Sequence, residues 1–229
     1  MGSSFLSILL GIALGARHAL EPDHLAAVTV LAAESPTGKR GALLGLFWGV
    51  GHTVALLVVG LVLALLSTAM PARWSDCFEF GVAVMLVFLG VRAVVRAVRQ
   101  GRTGPAARHD HGGAAHVHAG PHNHVHLGPW TMATRPLVVG LVHGLAGSGA
   151  MTAFVVAELP TVSARLGFLA LFGVGSVLGM GALSGLAGWP LSRLTRNPDT
   201  ARLVFASAGV LSAALGVVWG WPIALRLLA

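Results

Sequence analysis

Residues 15–25 of this chain read GARHALEPDHL and are flanked by apolar sequence on both sides. Ionisable side chains are dense in this segment: Arg17, His18, Glu21, Asp23 and His24. Charged groups inside an apolar span are costly to bury and mark a functional site by default. The segment therefore predicts both a polar interruption in a membrane helix and the place where the chemistry of the protein lies.

The composition of the whole chain is that of a membrane protein. Of its 229 residues 55% are hydrophobic and only 10% are charged, and the mean hydropathy is +0.79. A soluble domain carries about 25% charged residues, so this chain cannot cover a water-facing surface. The apolar content also excludes disorder. We therefore expect an all-α, polytopic membrane protein.

Six apolar stretches are long enough to cross a bilayer, which takes about 20 helical residues. They are residues 4–33, 41–67, 77–98, 134–158, 164–188 and 203–226. The first stretch is too long for one simple span. We expect it to be broken at Pro22, because proline lacks a backbone N–H and suits the first position of a new helix. His18 would then end one half-helix, and Asp23 and His24 would begin the next.

Basic residues predict the orientation in the membrane. The formal net charge is +7. Lysine and arginine concentrate in or beside three alternate connections between spans: Lys39, Arg40, Arg92, Arg96, Arg99, Arg102, Arg108, Arg135, Arg193, Arg196 and Arg202. The positive-inside rule makes these connections cytoplasmic and puts both termini outside. Since topology explains the charge, we expect no nucleic-acid partner.

The segment around Pro22 offers the ligands of a transition metal. Two imidazoles and one carboxylate, from His18, Asp23 and His24, suit a borderline divalent ion such as Ni²⁺, Co²⁺ or Zn²⁺. The alternative is a buried ion pair of Arg17 with Glu21 or Asp23, beside histidines that only form hydrogen bonds.

Two further histidines lie in other spans. His52 belongs to FWGVGHT at residues 47–53, where glycines allow a neighbouring helix to approach closely. His143 belongs to the Gly-rich run GLVHGLAGSGA at residues 140–150. We expect His52 to reach the cluster and His143 to be either a ligand or a packing residue.

The two halves of the chain resemble each other in sequence. His18-Ala19-Leu20 aligns with His143-Gly144-Leu145 at an offset of 125 residues, and residues 47–52 align with 171–176 at an offset of 124. With three spans in each half, the halves must cross the membrane in opposite directions. Such inverted 3+3 repeats are typical of secondary transporters.

The repeat divides the chain into three parts. Residues 1–98 form the first three-helix repeat, 99–133 a His-rich cytoplasmic loop, and 134–229 the second three-helix repeat. Seven loop histidines can bind borderline metals loosely: His109, His111, His116, His118, His122, His124 and His126. Because the loop is low in complexity and cannot bury a core, we expect it to be disordered and to buffer metal.

Two of these motifs resemble a known family. Residues 17–25, RHALEPDHL, resemble the signature of the nickel/cobalt transporter family, and Gly51-His52-Thr53 resembles that family's Gly-His-Ser/Thr motif in the next span. The His-rich loop and residues 140–150 resemble its shorter, urease-accessory nickel transporter branch. The resemblance implies that His18, Asp23, His24 and His52 are metal-site residues, whereas His143 rests on this sequence alone.

Residues and resemblance together predict a secondary transporter of Ni²⁺ or Co²⁺ in the bacterial cytoplasmic membrane, with uptake as the leading direction. We expect no prosthetic group, and cytoplasmic metallochaperones are candidate recipients of the ion. Export of the same metals, and a metal sensor or storage protein without transport, are the alternatives. An intramembrane metalloenzyme is disfavoured, because the segment lacks the His-Glu-x-x-His spacing that places a general base beside zinc.

Overall fold

A computed structural model describes residues 2–33, 37–66, 68, 70–100, 108–111, 114–117, 134–146, 159 and 161–229. Seven helices and one short hairpin lie in these residues. The helices are α1 Gly2–His18, α2 Pro22–Ala33, α3 Gly38–Leu65, α4 Ala72–Gln100, α5 at residues 134–146, α6 Val162–Leu194 and α7 Pro198–Leu228. The strands are β1 Arg108–His111 and β2 Ala114–Val117.

The predicted break in the first apolar stretch is confirmed. Helix α1 ends at His18 and α2 begins at Pro22. Between them the Leu20 N–H donates to the Arg17 carbonyl at 2.9 Å, and the Glu21 N–H donates to the His18 carbonyl at 3.0 Å. These contacts form a tight turn, so the carbonyls at the end of α1 are satisfied although Pro22 cannot continue the helix.

Four helices in the described part of the chain are long and apolar enough to cross a membrane. They are Gly38–Leu65, Ala72–Arg99, Val162–Leu194 and Pro198–Leu228. The multi-pass prediction is therefore confirmed. The first predicted stretch is divided between α1 and α2, and the fourth continues past α5 into residues outside the described part. The count of six spans stays a prediction.

The helices pack with small residues inside and large aliphatic residues outside. Helix α3 packs along α6, α4 along α7, and α1 against α6, while α2 contacts α3, α4, α6 and α7. Leu186 and Val218 are both 72% exposed, whereas Trp48 and Leu56 are fully buried. An apolar exterior is what a lipid environment requires, because lipid offers polar groups no partner.

Glycines let two pairs of helices touch along their backbones. A Cβ added at Gly15 in α1 would overlap the carbonyl oxygen of Phe172 in α6. A Cβ added at Gly140 in α5 would in the same way overlap the carbonyl oxygen of Trp48 in α3. Both glycines therefore hold their helices closer than any side chain would allow, and α1 meets α6 as α5 meets α3.

The partner helices carry a second pair of matching glycines. A Cβ at Gly175 in α6 would overlap the Ile12 carbonyl of α1, and one at Gly51 in α3 would overlap the Leu137 carbonyl of α5. Helices α3 and α6 also start alike. Thr37 caps α3 by accepting the Arg40 N–H at 3.3 Å, and Thr161 caps α6 by accepting the Ala164 N–H at 3.2 Å.

The expectation that the loop is disordered is wrong for residues 108–111 and 114–117, which form two strands. Strands β1 and β2 form an antiparallel pair in which Arg108 lies opposite Val117 and His111 opposite Ala114. The sequence between them is Gly112-Gly113, a dipeptide that favours two-residue hairpin turns and could have predicted the pair. His109, His111 and His116 belong to the strands, whereas four loop histidines lie outside the described residues: His118, His122, His124 and His126.

Replacing Gly140 with alanine should lower the thermal stability of the detergent-solubilised protein, because the added Cβ would overlap the Trp48 carbonyl. Overpacking of this kind typically costs about 1–3 kcal/mol. The matched control is Gly81→Ala in α4, where a Cβ meets no described atom within 4 Å. That variant should be neutral or stabilised by up to about 1 kcal/mol. Equal melting temperatures of the two variants would contradict the close packing of α5 on α3.

Candidate metal centre

The five side chains singled out in the membrane segments come together at the break between α1 and α2. Helix α1 supplies one, α2 two, and α3 and α5 one each, and none is more than 8% exposed: His18, Asp23, His24, His52 and His143. The turn places the end of α1 beside the start of α2. Glycine-mediated packing brings α3 and α5 to the same place.

One group within the cluster consists of three imidazoles. The ring centroids of His18 and His24 lie 4.5 Å apart, those of His18 and His52 lie 5.0 Å apart, and those of His24 and His52 lie 5.4 Å apart. One nitrogen from each ring lies within 4.8 Å of the other two. These distances are close to what three ligands of a single ion require.

A second group shares His24 with the first. His24 Nδ1 lies 3.0 Å from Asp23 Oδ1, and His143 Nε2 lies 3.5 Å from Asp23 Oδ2. The centroids of His24 and His143 are 4.8 Å apart. One ligand atom from each of the three residues again lies within 4.8 Å of the others.

Carboxylates orient two of the imidazoles. Since a carboxylate can only accept, His24 donates its Nδ1–H to Asp23 Oδ1 at 3.0 Å. Glu21 Oε1 lies 3.0 Å from His18 Nδ1, which favours a proton on that nitrogen as well. The Nε2 atoms of both rings are then free, and both are buried without a hydrogen bond in the described part of the chain. Carboxylate–imidazole pairs of this kind orient histidine ligands in metal sites and fix their tautomer.

Glu21 was missed as a site residue, because the sequence suggested it only as a partner for Arg17. The alternative of a buried Arg17 ion pair does not hold: Arg17 is exposed, Glu21 contacts His18, and Asp23 contacts histidines. The signal that could have found Glu21 is its position three residues after His18, across the turn that Pro22 predicts.

The remaining two imidazoles have no hydrogen bond at either ring nitrogen among the described residues. All four nitrogens, two from His52 and two from His143, are buried without such a partner. A buried polar atom without a partner costs about 1–3 kcal/mol. Four converging histidines with unused lone pairs are therefore suited to a cation that takes several nitrogens at once.

Aromatic side chains form the wall of the cluster. The Trp48 ring stacks on His24 with centroids 5.5 Å apart and meets the His143 ring edge-on at 5.4 Å, while Phe172 lies 5.3 Å from His18. Trp48 was also missed, because its side chain has no ionisable group that would mark it within an apolar span. Its position four residues before His52 puts both on one face of α3, which is the signal that could have found it.

Comparison with known proteins relates the chain to nickel transport. Residues 4–186 match the family described as High-affinity nickel-transport protein (NicO). The urease accessory protein UreH of Bacillus sp. (strain TB-90) is 33% identical over 215 residues, which cover 93% of this chain and 90% of that protein. The high-affinity nickel transport protein of Cupriavidus necator is 30% identical over 112 residues, 42% of this chain and 31% of that protein. No solved structure matches.

The fold and the cluster define a multi-pass helical membrane protein with a buried cluster of imidazole and carboxylate side chains. Within that class, the chain belongs to the NicO family of high-affinity nickel-transport proteins. The resemblance found in the sequence is thus confirmed. Because this is a family of transport proteins, the expectation that the chain is not an enzyme is confirmed as well.

Trp48 should report binding at the cluster. Titrating the full-length protein with Ni²⁺ should produce a saturable quench of tryptophan fluorescence, because the indole contacts two candidate ligand rings. Trp48→Phe should remove most of that quench. The control Trp189→Phe, which changes an exposed indole next to Arg193, should keep it. An unchanged saturable quench in Trp48→Phe would mean that Ni²⁺ does not bind beside this ring.

Proposed function

We propose that this protein is a secondary transporter that carries Ni²⁺, Co²⁺ or both across the bacterial cytoplasmic membrane, most simply into the cell. The observation that carries the proposal is the convergence of buried ligands at the broken first span, from His18, Asp23, His24 and His52, with His143 beside them. Membership of the NicO family and the name of the Cupriavidus necator relative support nickel as the substrate.

The donor set is appropriate to this cargo. Imidazole nitrogens suit Ni²⁺, Co²⁺ and Zn²⁺ better than the hard ions Mg²⁺ and Ca²⁺, which prefer oxygen. One carboxylate, Asp23, supplies a negative charge that partly offsets the cost of bringing a dication out of water. Zn²⁺ fits the same donors, so only competition between metals can rank the substrates.

The two halves, residues 1–98 and 134–229, are proposed to form an inverted repeat. The matching contacts of Gly15 with Gly140 and of Gly51 with Gly175 support it, because each pair is related by the offset of 124 or 125 residues that aligns the sequences. In such repeats a site at the interface is exposed to either side by rocking one half against the other. That motion would carry the ion across.

Both termini are proposed to lie outside the cell. Basic residues lie at the start of α3, with Lys39 and Arg40, at the end of α4, and around the connection from α6 to α7. The positive-inside rule makes these ends cytoplasmic. The membrane potential would then favour uptake, since two positive charges entering a cell at about −100 mV gain roughly 4.6 kcal/mol. The sequence contains no Gly-x-x-x-x-Gly-Lys-Ser/Thr motif for nucleotide hydrolysis.

The loop at residues 99–133 is proposed to buffer metal on the cytoplasmic side. Its seven histidines suit borderline metals, and the cytoplasmic side proposed for the loop is the side to which an imported ion would be released. From there the ion would pass to cytoplasmic metallochaperones.

Ni²⁺ uptake into intact cells tests the site. His18→Ala, Asp23→Ala, His24→Ala and His52→Ala should each reduce the rate by more than the roughly 10–100-fold typical of residues that only orient a ligand. Glu21→Gln should cost no more than that range, because an amide oxygen can still accept the His18 proton. Ser212→Ala is the control, since Ser212 is buried and donates to the Leu86 carbonyl at 2.9 Å, between α4 and α7.

The direction of transport follows from the same assay. With equal amounts of protein in the membrane, loss of function should lower cellular nickel. Nickel that rises in the ligand variants would show an exporter. Nickel that stays at the wild-type level in all four variants would remove the proposed site. Repeating the assay with Co²⁺ and Zn²⁺ as competitors ranks the substrates.

Reporter fusions test the orientation. A reporter joined after Arg108 should report the cytoplasm, and one joined after Ala229 should report the outer side, because basic connections stay inside. The measurement is a pair of reporters active on opposite sides of the membrane. The reversed pattern would place the loop outside the cell and exclude its proposed role in receiving the ion.

A further inference from the structure

We propose that the cluster contains two overlapping three-ligand positions that share His24, and that one transported ion passes from one position to the other. The first position consists of His18, His24 and His52, and the second of Asp23, His24 and His143. This inference rests on the proposed transport function and specifies how the same site would act.

The geometry separates the ligands into these two sets. In each set the three ligand atoms lie within 4.8 Å of one another, and only His24 belongs to both. Two atoms bound to one ion at about 2.1 Å cannot be more than about 4.2 Å apart. Either set can therefore close on an ion by a small movement of its side chains. The five residues do not form one group within that distance, so bringing all of them onto one ion needs a larger movement.

His24 limits the cluster to one ion at a time. A neutral imidazole has a proton on one nitrogen and a lone pair on the other, so it offers one ligand atom. Because the Asp23 carboxylate can only accept, it assigns the proton of His24 to Nδ1, which leaves the lone pair on the buried Nε2. A second dication a few ångströms away would also be strongly repelled. The two positions must then be filled in turn.

Asp23 changes its part as the ion moves. With an ion in the first position, Asp23 accepts the proton of His24 Nδ1 and orients that ring, as carboxylates do behind metal-bound histidines. In the second position Asp23 is itself a ligand, through Oδ2, which already lies 3.5 Å from His143 Nε2. The first position is thus made of neutral imidazoles, whereas the second carries a negative charge.

The surroundings of the two positions are counterparts in the two halves. His18 lies against Phe172 of α6, and His143 lies against Trp48 of α3. These pairs are related by the same offsets as the proposed repeat. In an inverted repeat the two halves exchange conformations between the outward-open and inward-open states. One position is therefore suited to each state. His24 belongs to both positions, so it would stay bound to the ion as the ion moves.

Nickel binding to purified full-length protein tests the proposal, with all seven loop histidines replaced by asparagine so that they do not mask the site. The double variant His18→Ala/His52→Ala removes the first position. Asp23→Asn/His143→Ala removes the second but keeps an oxygen that accepts the His24 proton. His24→Ala removes both. Ser176→Ala is the control, because Ser176 is buried and its hydroxyl lies within hydrogen-bond distance of the carbonyls of Gly15 and Phe172, not of a residue of the cluster.

The parent chain should bind one Ni²⁺. Each double variant should still bind one, with a Kd raised by no more than about tenfold, because three ligands remain. His24→Ala should raise the Kd by more than about 100-fold, beyond the range typical of residues that only orient a ligand. Nickel K-edge X-ray absorption should count three imidazoles when the second position is removed and two when the first is removed. All three variants should lose uptake.

Other results overturn the proposal. If both double variants lose binding as completely as His24→Ala, the five residues form one site. Two Ni²⁺ per parent chain would show two independent sites. The single variants His52→Ala and His143→Ala test whether there are two positions or one, with less disturbance of the fold. If the parent chain binds no Ni²⁺, the proposed function itself fails, which is distinct from finding one undivided site.

Discussion

The break between α1 and α2 is the feature on which the rest of the site depends. On a continuous helix, residues five and six positions apart do not share a face, so His18 could not meet Asp23 and His24. Proline at position 22 prevents that continuation, and the turn before it brings these three side chains together. The turn also places Glu21 against His18, so the break supplies both the ligands and the group that orients one of them.

Close helix packing completes what the break begins. A histidine in α3 or α5 reaches the cluster only if its backbone lies unusually near the neighbouring helix, and glycines provide that approach on both sides. As a consequence, these glycine positions have no room for a Cβ. The cluster therefore depends on the glycine contacts, because side chains from different helices converge where the helix backbones lie close together.

Much of the fold and of the candidate site could be predicted from the sequence. Ionisable residues are so costly in an apolar span that their positions singled out the five clustered side chains as candidates, alongside Arg17 and Glu21, and Pro22 identifies the break. The roles of Glu21 and Trp48 could not be predicted as readily, since they depend on how a turn and two helices are arranged in space. The hairpin at residues 108–117 was missed because composition was weighed above the Gly112-Gly113 turn signal. The proposed division of the cluster into two groups has no sequence signature, because it depends on distances between side chains of four helices.

Under the proposed repeat, the scaffold is duplicated but the chemistry is not. Ser176 in α6 corresponds to His52 in α3, yet its hydroxyl lies 3.0 Å from the Phe172 carbonyl and 3.3 Å from that of Gly15, so its hydrogen-bonding capacity is used within the protein. His52 keeps both nitrogens free in the described structure. A symmetric pair of complete sites would hold an ion equally on both sides of the interface. Under the proposed transport function, the two overlapping groups that share His24 would keep the ion bound while one half moves against the other.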